Sequence, residues 1–513
     1  MDDALIDLLR EDLERAGYDS QAVRGLLGPA ADDARQRGVL APARRVLDAR
    51  GESPLGTLIR LFLLGDPLAG SGIDDALPTV RTAGLAELGL VEATAAGFRA
   101  ALSLNPVDVE DAHLAQPARW WIISDLDDQL RRGPARPDHV MGVGGATRSL
   151  LAQAPPGETG SALDLGTGCG VVALHLVLRT RGRVVATDIS ERALVLARAN
   201  ARLNGLADLI DFRSGSLFEP VAGERFELIL SNPPFVVTPR QADGAPRYVY
   251  RDGGMAGDEL AAAVVRGAPG HLAAGGTLLC LANWESHWGV DGLERVGEWI
   301  EDAAAGSELA AWVVERDRVD TVRYAETWAR DGGARPGEAG FERLMRDWLD
   351  DFAERRVVAL GLGSIRLRRL SEVGTGGPVL RAERAEGAFS ARPGARLAAA
   401  FEAAIETERM SDEEVLSHRW QLAEDAVEIR EHRPGEESPR AIAFAAEGGI
   451  ARRVSADPLL AGALGACDGE LSLGRIADAL ATLLEADPAA VREALCADVR
   501  ELVWLGLLAP AGR

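Results

Sequence analysis

The stretch Ala162-Leu163-Asp164-Leu165-Gly166-Thr167-Gly168-Cys169-Gly170 decides the fold of this chain. An apolar strand carrying one carboxylate runs into three glycines at alternate positions, and the run that follows, Val171 to Gly182, has helical character. A strand that ends at Gly166 and a helix that begins near Gly170 leave a turn without side chains. Such a turn lets a bound cofactor approach the backbone closely.

Two further stretches repeat the same geometry, a strand ending in polar chemistry. In Val184-Val185-Ala186-Thr187-Asp188-Ile189-Ser190 the strand ends in a carboxylate 18 residues past Gly170, the position from which an acidic side chain accepts hydrogen bonds from ribose hydroxyls. In Phe226 to Ser231 the strand runs into Asn232-Pro233-Pro234-Phe235. Consecutive prolines stiffen the backbone and remove two N–H groups, so carbonyl oxygens face outward without internal partners. Asn232 adds a side-chain acceptor, and together these can hold both protons of an NH2 group while Phe235 covers its planar face.

Taken together, Asp164 to Gly170, Asp188 and Asn232 to Phe235 resemble the Asn-Pro-Pro-aromatic branch of class I S-adenosylmethionine-dependent methyltransferases, over residues 136 to 370. An acidic residue two positions before Gly-x-Gly-x-Gly favours that family over nicotinamide enzymes. The branch includes release-factor glutamine methyltransferases and amino-methyltransferases of ribosomal RNA and of DNA. The resemblance implies S-adenosyl-L-methionine as cofactor, held by Gly144, Asp164, Gly166, Thr167, Gly168, Gly170, Asp188, Ile189, Ser216, Leu217 and Asn232. It implies catalysis by Asn232, Pro233, Pro234 and Phe235. Gly144 enters through Met141-Gly142-Val143-Gly144-Gly145-Ala146-Thr147, just before the first strand. Ser216 stands where many relatives have an aspartate for the adenine amine, and it is a weaker acceptor. Tyr250-Arg251-Asp252-Gly253-Gly254-Met255-Ala256-Gly257-Asp258 partly matches the Asp-Gly-Gly stretch of the glutamine methyltransferases. No metal site is implied, since the histidines and cysteines show no ligand spacing.

The expected fold class is α/β: a Rossmann-like sheet of seven strands, flanked by N- and C-terminal, mainly helical, winged-helix-like modules. The strands are expected at 161–166, 183–188, 209–215, 226–232, 277–284, 309–316 and 357–370. A helix-rich stretch, 318–355, is longer than a tight crossover between the last two strands requires. Residues 1–117 read as the N-terminal module, 118–373 as the catalytic domain, and 374–513 as a linker plus the C-terminal module.

Composition narrows the partners. The content of 47% hydrophobic and 26% charged residues fits a folded, soluble chain. A net charge of −23 argues against a broad phosphate-neutralising surface. Residues 1–117 carry 11 arginines against 19 acidic residues, and 378–513 carry 15 against 24, so neither module resembles a duplex-DNA reader. The acceptor is therefore expected to be a planar amide or amino nitrogen of a protein or peptide. The alternatives are an adenine or guanine amino group of RNA or DNA, a small natural product, or a methyltransferase fold that binds without turnover. No apolar run approaches membrane-spanning length and the N-terminus lacks a basic leader, so a cytoplasmic location without membrane contact is expected. Oligomeric state is not legible.

Overall fold

The computed structural model describes residues 1–111, 113–131, 133, 135–239, 255–331, 334–371, 378–385 and 387–512. The chain divides into two compact units: Met1–Val109 with Gln116–Leu151 and Glu158–Arg384, and Ala385–Arg513 with Glu110–Ala115 and Ala152–Gly157. Among the described residues no helix is long and apolar enough to cross a membrane.

An eight-stranded sheet organises the first unit. Its strands are β1 (Thr159–Leu165), β2 (Thr180–Asp188), β3 (Ile210–Ser214), β4 (Phe226–Ser231), β5 (Leu272–His287), β6 (Glu308–Asp320), β7 (Val357–Ser371) and β8 (Val379–Arg384). They lie in the order β8-β6-β7-β5-β4-β1-β2-β3. β1 to β5 pair in parallel, and β7 runs antiparallel to both β5 and β6. The order reverses at β1 and β4, so the carboxyl ends of β1, β2 and β4 open on one crevice, where ligands of such sheets bind. The central strands are buried on both faces, as parallel strands under crossover helices are, which is why β4 reads as a continuous apolar run. One face packs Leu163, Leu165, Ile229 and Leu278 against Ala262, Val265, Val296 and Ile300 from helices Glu259–His271 and Gly292–Ala303.

All seven expected strands form, and an eighth corrects the count. β8 comes from the stretch expected to be a linker and pairs in parallel with the edge strand β6, so the sheet reaches Arg384 rather than ending near 373. Its sequence, Val-Leu-Arg-Ala-Glu-Arg, has no apolar alternation because its charges meet partners on the neighbouring strand β6. Glu383 accepts from the Trp312 indole at 2.9 Å, and Arg384 donates to the buried Glu315 at 2.9 Å.

Helices from Asp3–Ala16 to Arg81–Glu87 are followed by the hairpin Val91–Thr94/Gly97–Ala100. A second antiparallel pair, Ser103–Val109 with Ala118–Ser124, leads towards the sheet domain and is stitched to helix Glu191–Leu203 by two asparagines. Asn200 accepts from the Ile123 N–H at 2.7 Å and donates to the Ile123 carbonyl at 2.8 Å. Asn204 does the same for Trp121, at 3.0 and 2.8 Å. Asn200 in the last turn of the helix and Asn204 at its C-cap thus pair with residues two apart on a strand, and the side-chain amides act as the missing neighbour strand.

The second unit is partly helical, with helices Gly394–Glu408, Pro458–Gly465, Leu473–Leu483 and Pro488–Trp504. A three-stranded sheet joins Asp468–Ser472, Arg419–Leu422 and Leu508–Pro510. A separate antiparallel sheet, Val427–Glu431, Ala441–Ala446 and Arg452–Ala456, was not legible in sequence. Its first strand is largely exposed along its length and so lacks a buried alternation.

Candidate functional site

The glycine turn after β1 is a left-handed device. Gly166, Gly168 and Gly170 have φ of 81°, 54° and 86°, values that side chains rarely tolerate. The Thr187 carbonyl of β2 accepts both the Gly166 and Thr167 N–H groups, at 2.9 and 2.8 Å. Beneath the turn, Asp164 is buried, and its Oδ2 accepts from the Thr167 hydroxyl at 2.6 Å and the Ala173 N–H at 2.9 Å. Burial pushes the Asp164 carboxyl up to about 7, against those two hydrogen bonds and helped by the nearby Asp188 charge. Gly170 caps helix Val171–Val177 where a Cβ would sit 3.0 Å from the Ala197 Cα, so glycine is needed there for helix packing.

Asp188 closes β2 beside this turn. Its Oδ2 accepts the Gly168 N–H at 2.9 Å and its Oδ1 the Ser190 N–H at 2.8 Å, leaving further lone pairs on both oxygens. Burial raises its pKa, and hydrogen bonds from Ser190, Gly168 and Ile189 oppose the rise. Arg192, one helical turn on, forms a bidentate pair with Asp125, which also accepts the Val140 N–H at 2.7 Å. That carboxylate ties the segment Asp138–Met141 to the helix that follows Asp188. His139 within the segment has its pKa lowered by burial, despite Asp125 nearby.

At the end of β4, Ser231 donates to the Leu165 carbonyl at 2.9 Å and locks the two strand ends together. Asn232 Nδ2 donates to the Thr147 hydroxyl at 3.2 Å. Its Oδ1 is buried without a hydrogen-bond partner among the described residues. A buried amide oxygen left unpaired costs about 1–3 kcal/mol. That oxygen belongs to a residue that lines a cavity.

These groups line one cavity of about 590 Å³. Of the residues expected from sequence, Gly144, Gly166, Thr167, Gly168, Asp188, Ile189, Ser216, Leu217 and Asn232 to Phe235 all face it. Asp164 and Gly170 are absent from its lining: the carboxylate turns inward to hold the turn, and the glycine packs on Ala197. Tyr250 to Gly254 lie outside the described residues, whereas Met255 lines the cavity. Sequence reasoning missed His139, Leu260, Val264, Trp328 and Asp331 in the lining. Thr147 lay within the quoted glycine segment without being singled out. Trp328 and Asp331 carried no local signal, because they reach the cavity from the β6–β7 connection.

Residues 141–291 match the family model of the methyltransferase small domain, and residues 15–101 match a domain of unknown function (DUF7059). The chain is 40% identical over 129 residues to a release factor glutamine methyltransferase of Xylella fastidiosa, covering 24% of this chain and 46% of that one. It is 33% identical over 150 residues to a ribosomal protein uL3 glutamine methyltransferase of Bradyrhizobium diazoefficiens, covering 28% and 46%. It is 35% identical over 143 residues to the ribosomal RNA small subunit methyltransferase C of Klebsiella pneumoniae, covering 28% and 36%. The chain spans half or less of the length of these curated relatives.

Proposed function

We propose that the central domain, a class I methyltransferase domain of the small-domain type, transfers a methyl group from S-adenosylmethionine to a planar amide or amino nitrogen. The residues present fit that cofactor. Asp188 offers carboxylate lone pairs for two ribose hydroxyls, the backbone of Gly166 to Gly168 is open to close approach, and Ser216 offers a hydroxyl to the adenine. S-Adenosylmethionine supplies, when bound, an electrophilic methyl on a sulfonium.

The observation that carries the reading is the buried Asn232 Oδ1 beside Pro233 and Pro234, unpaired among the described residues. Asn232 Oδ1 and the Pro233 carbonyl accept the N–H groups of the acceptor and turn its lone pair towards the methyl. Phe235 covers the planar face. Methylation would cost the acceptor nitrogen one N–H proton, and Asn232 and the Pro233 carbonyl would hold that nitrogen in place while it reacts. Orientation supplies most of the rate, since attack on a sulfonium is already favourable.

The acceptor is a group in a protein or peptide, in keeping with the acidic modules and with the names of the glutamine methyltransferase relatives. The ribosomal RNA relative supports the second reading, a nucleobase amino group. The protein works in the cytoplasm. Binding tests the cofactor assignment: wild type should bind S-adenosylhomocysteine at least roughly tenfold more tightly than Asp188→Ala. Equal affinity would refute it.

A further inference from the structure

The helical pair between β6 and β7, Thr321–Asp331 and Ala339–Glu354, lies beyond the residues matched by the methyltransferase small-domain family. Its first helix reaches the catalytic loop at two points. Tyr324 is 1% exposed, and its hydroxyl oxygen accepts the Val237 N–H at 3.0 Å and the Asn283 amide at 2.8 Å. Val237 follows the Asn-Pro-Pro-Phe motif in a stretch, Asn232–Pro239, without helix or strand. Tyr324 thus gives an irregular backbone a fixed acceptor. Around it, Trp328, Trp348 and Phe352 pack with ring centroids 6.0, 5.7 and 6.2 Å from its own. Phe235, Val236 and Val237 pack on this same cluster.

One turn on from Tyr324, Trp328 lines the cavity, with Asp331 at the helix end. The position across the sheet says which half of the cavity they serve. The groups fitted to the cofactor come from the ends of β1, β2 and β3, on one side of β4. The Thr321–Asp331 helix follows β6, on the other side of β4. Phe235 and the helix's Trp328 pack on one aromatic cluster, and both line the cavity.

We propose that helix Thr321–Asp331 is the acceptor-side wall of the cavity, with Tyr324 positioning the Asn232–Val237 loop and Trp328 contacting the group that receives the methyl. The Trp328 role rests on the methyl-transfer reading above, whereas the Tyr324 role stands on the loop geometry alone. Tyr324→Phe keeps the packed ring and removes the acceptor. In Trp328→Ala the flat apolar surface that Trp328 gives the cavity wall is lost.

Two measurements on the full chain test this. Deuterium uptake at the amides of residues 235–238 should become roughly tenfold faster in Tyr324→Phe, with uptake in β1 and β2 unchanged. Unchanged uptake at 235–238, or a rise spread evenly over the sheet, would overturn the positioning role. For Trp328 the probe is a 5′-aza-adenosyl compound carrying a carboxamide arm, which puts a planar amide on the acceptor side without requiring turnover. Trp328→Ala should weaken it roughly tenfold while S-adenosylhomocysteine changes less than twofold, and Trp328→Phe should restore most of the loss. Equal changes for the two ligands, or none for either, would overturn the contact. If wild type bound neither ligand, the methyl-transfer reading and the Trp328 role would both fall, and the exchange measurement would still decide Tyr324.

Discussion

Asn232 and Thr147 are joined by a single hydrogen bond, Nδ2 to Oγ1 at 3.2 Å, and that bond fixes the amide so that Oδ1 stays buried at the cavity, unpaired among the described residues. The pairing distinguishes the two ends of the asparagine. One end is anchored to the segment before β1, and the other is left at the cavity.

Asn232→Ala should therefore lower turnover by roughly 10²-fold or more with cofactor affinity nearly unchanged, because it removes an interaction made with the acceptor. Thr147→Val should have a smaller effect in the same direction, roughly tenfold, since the amide is freed to rotate but not removed. Steady-state kinetics with parallel calorimetry separates the two effects. Equal loss of binding and rate in Asn232→Ala would make the residue structural.

Stability should respond to pH through Asp164. Its carboxyl is raised to about 7 in the folded chain, from an ordinary value of 3.8. Between those values the folded state binds the extra proton, so this group's contribution is present at low pH and lost as pH rises through about 7. Asp164→Asn mimics the protonated form and removes the dependence. Its Tm relative to wild type should be higher at pH 8 than at pH 5.5. A Tm difference that stays constant across that range would show that Asp164 does not titrate there.

Asn200 links the N-terminal segment to the glycine turn after β1, since its amide also donates to the Cys169 carbonyl at 2.8 Å. Asn200→Ala would leave the Ile123 N–H and two carbonyls buried without partners, at about 1–3 kcal/mol each. Chemical denaturation should register a loss of about 3 kcal/mol or more, with no change in slope. By the same reasoning a fragment of residues 136–372 lacks Trp121 and Ile123 and should aggregate on size-exclusion chromatography. A monomeric, folded fragment would mean that the N-terminal segment is dispensable.

Much of the site was legible because its parts are local. Gly166 to Gly168, Asp188 and Asn232 to Phe235 each follow a strand end directly, so sequence order alone carries them to one crevice. Other residues were hidden for distinct physical reasons. Asp164 reads like a ligand but turns inward, because the Thr167 hydroxyl and the Ala173 N–H compete for its carboxylate. Asn200 and Asn204 look like the polar face of a helix until the strand Ala118–Ser124 supplies their partners. β8 resembles a linker because Glu383 and Arg384 meet their partners across the sheet rather than along the chain. Trp328 depends on how the β6–β7 connection folds back, which no local pattern encodes.

The most direct measurement is transfer of a tritiated methyl group from S-adenosylmethionine to the macromolecules of a cell lysate, comparing the wild-type chain with Asn232→Ala and following with nuclease or protease digestion. The account predicts label with wild type and background with the variant, although both bind S-adenosylhomocysteine, and it predicts label that survives nuclease and is lost to protease. Loss to nuclease would move the acceptor to RNA or DNA. Label from the variant equal to that from wild type, or none from wild type, would contradict methyl transfer at Asn232.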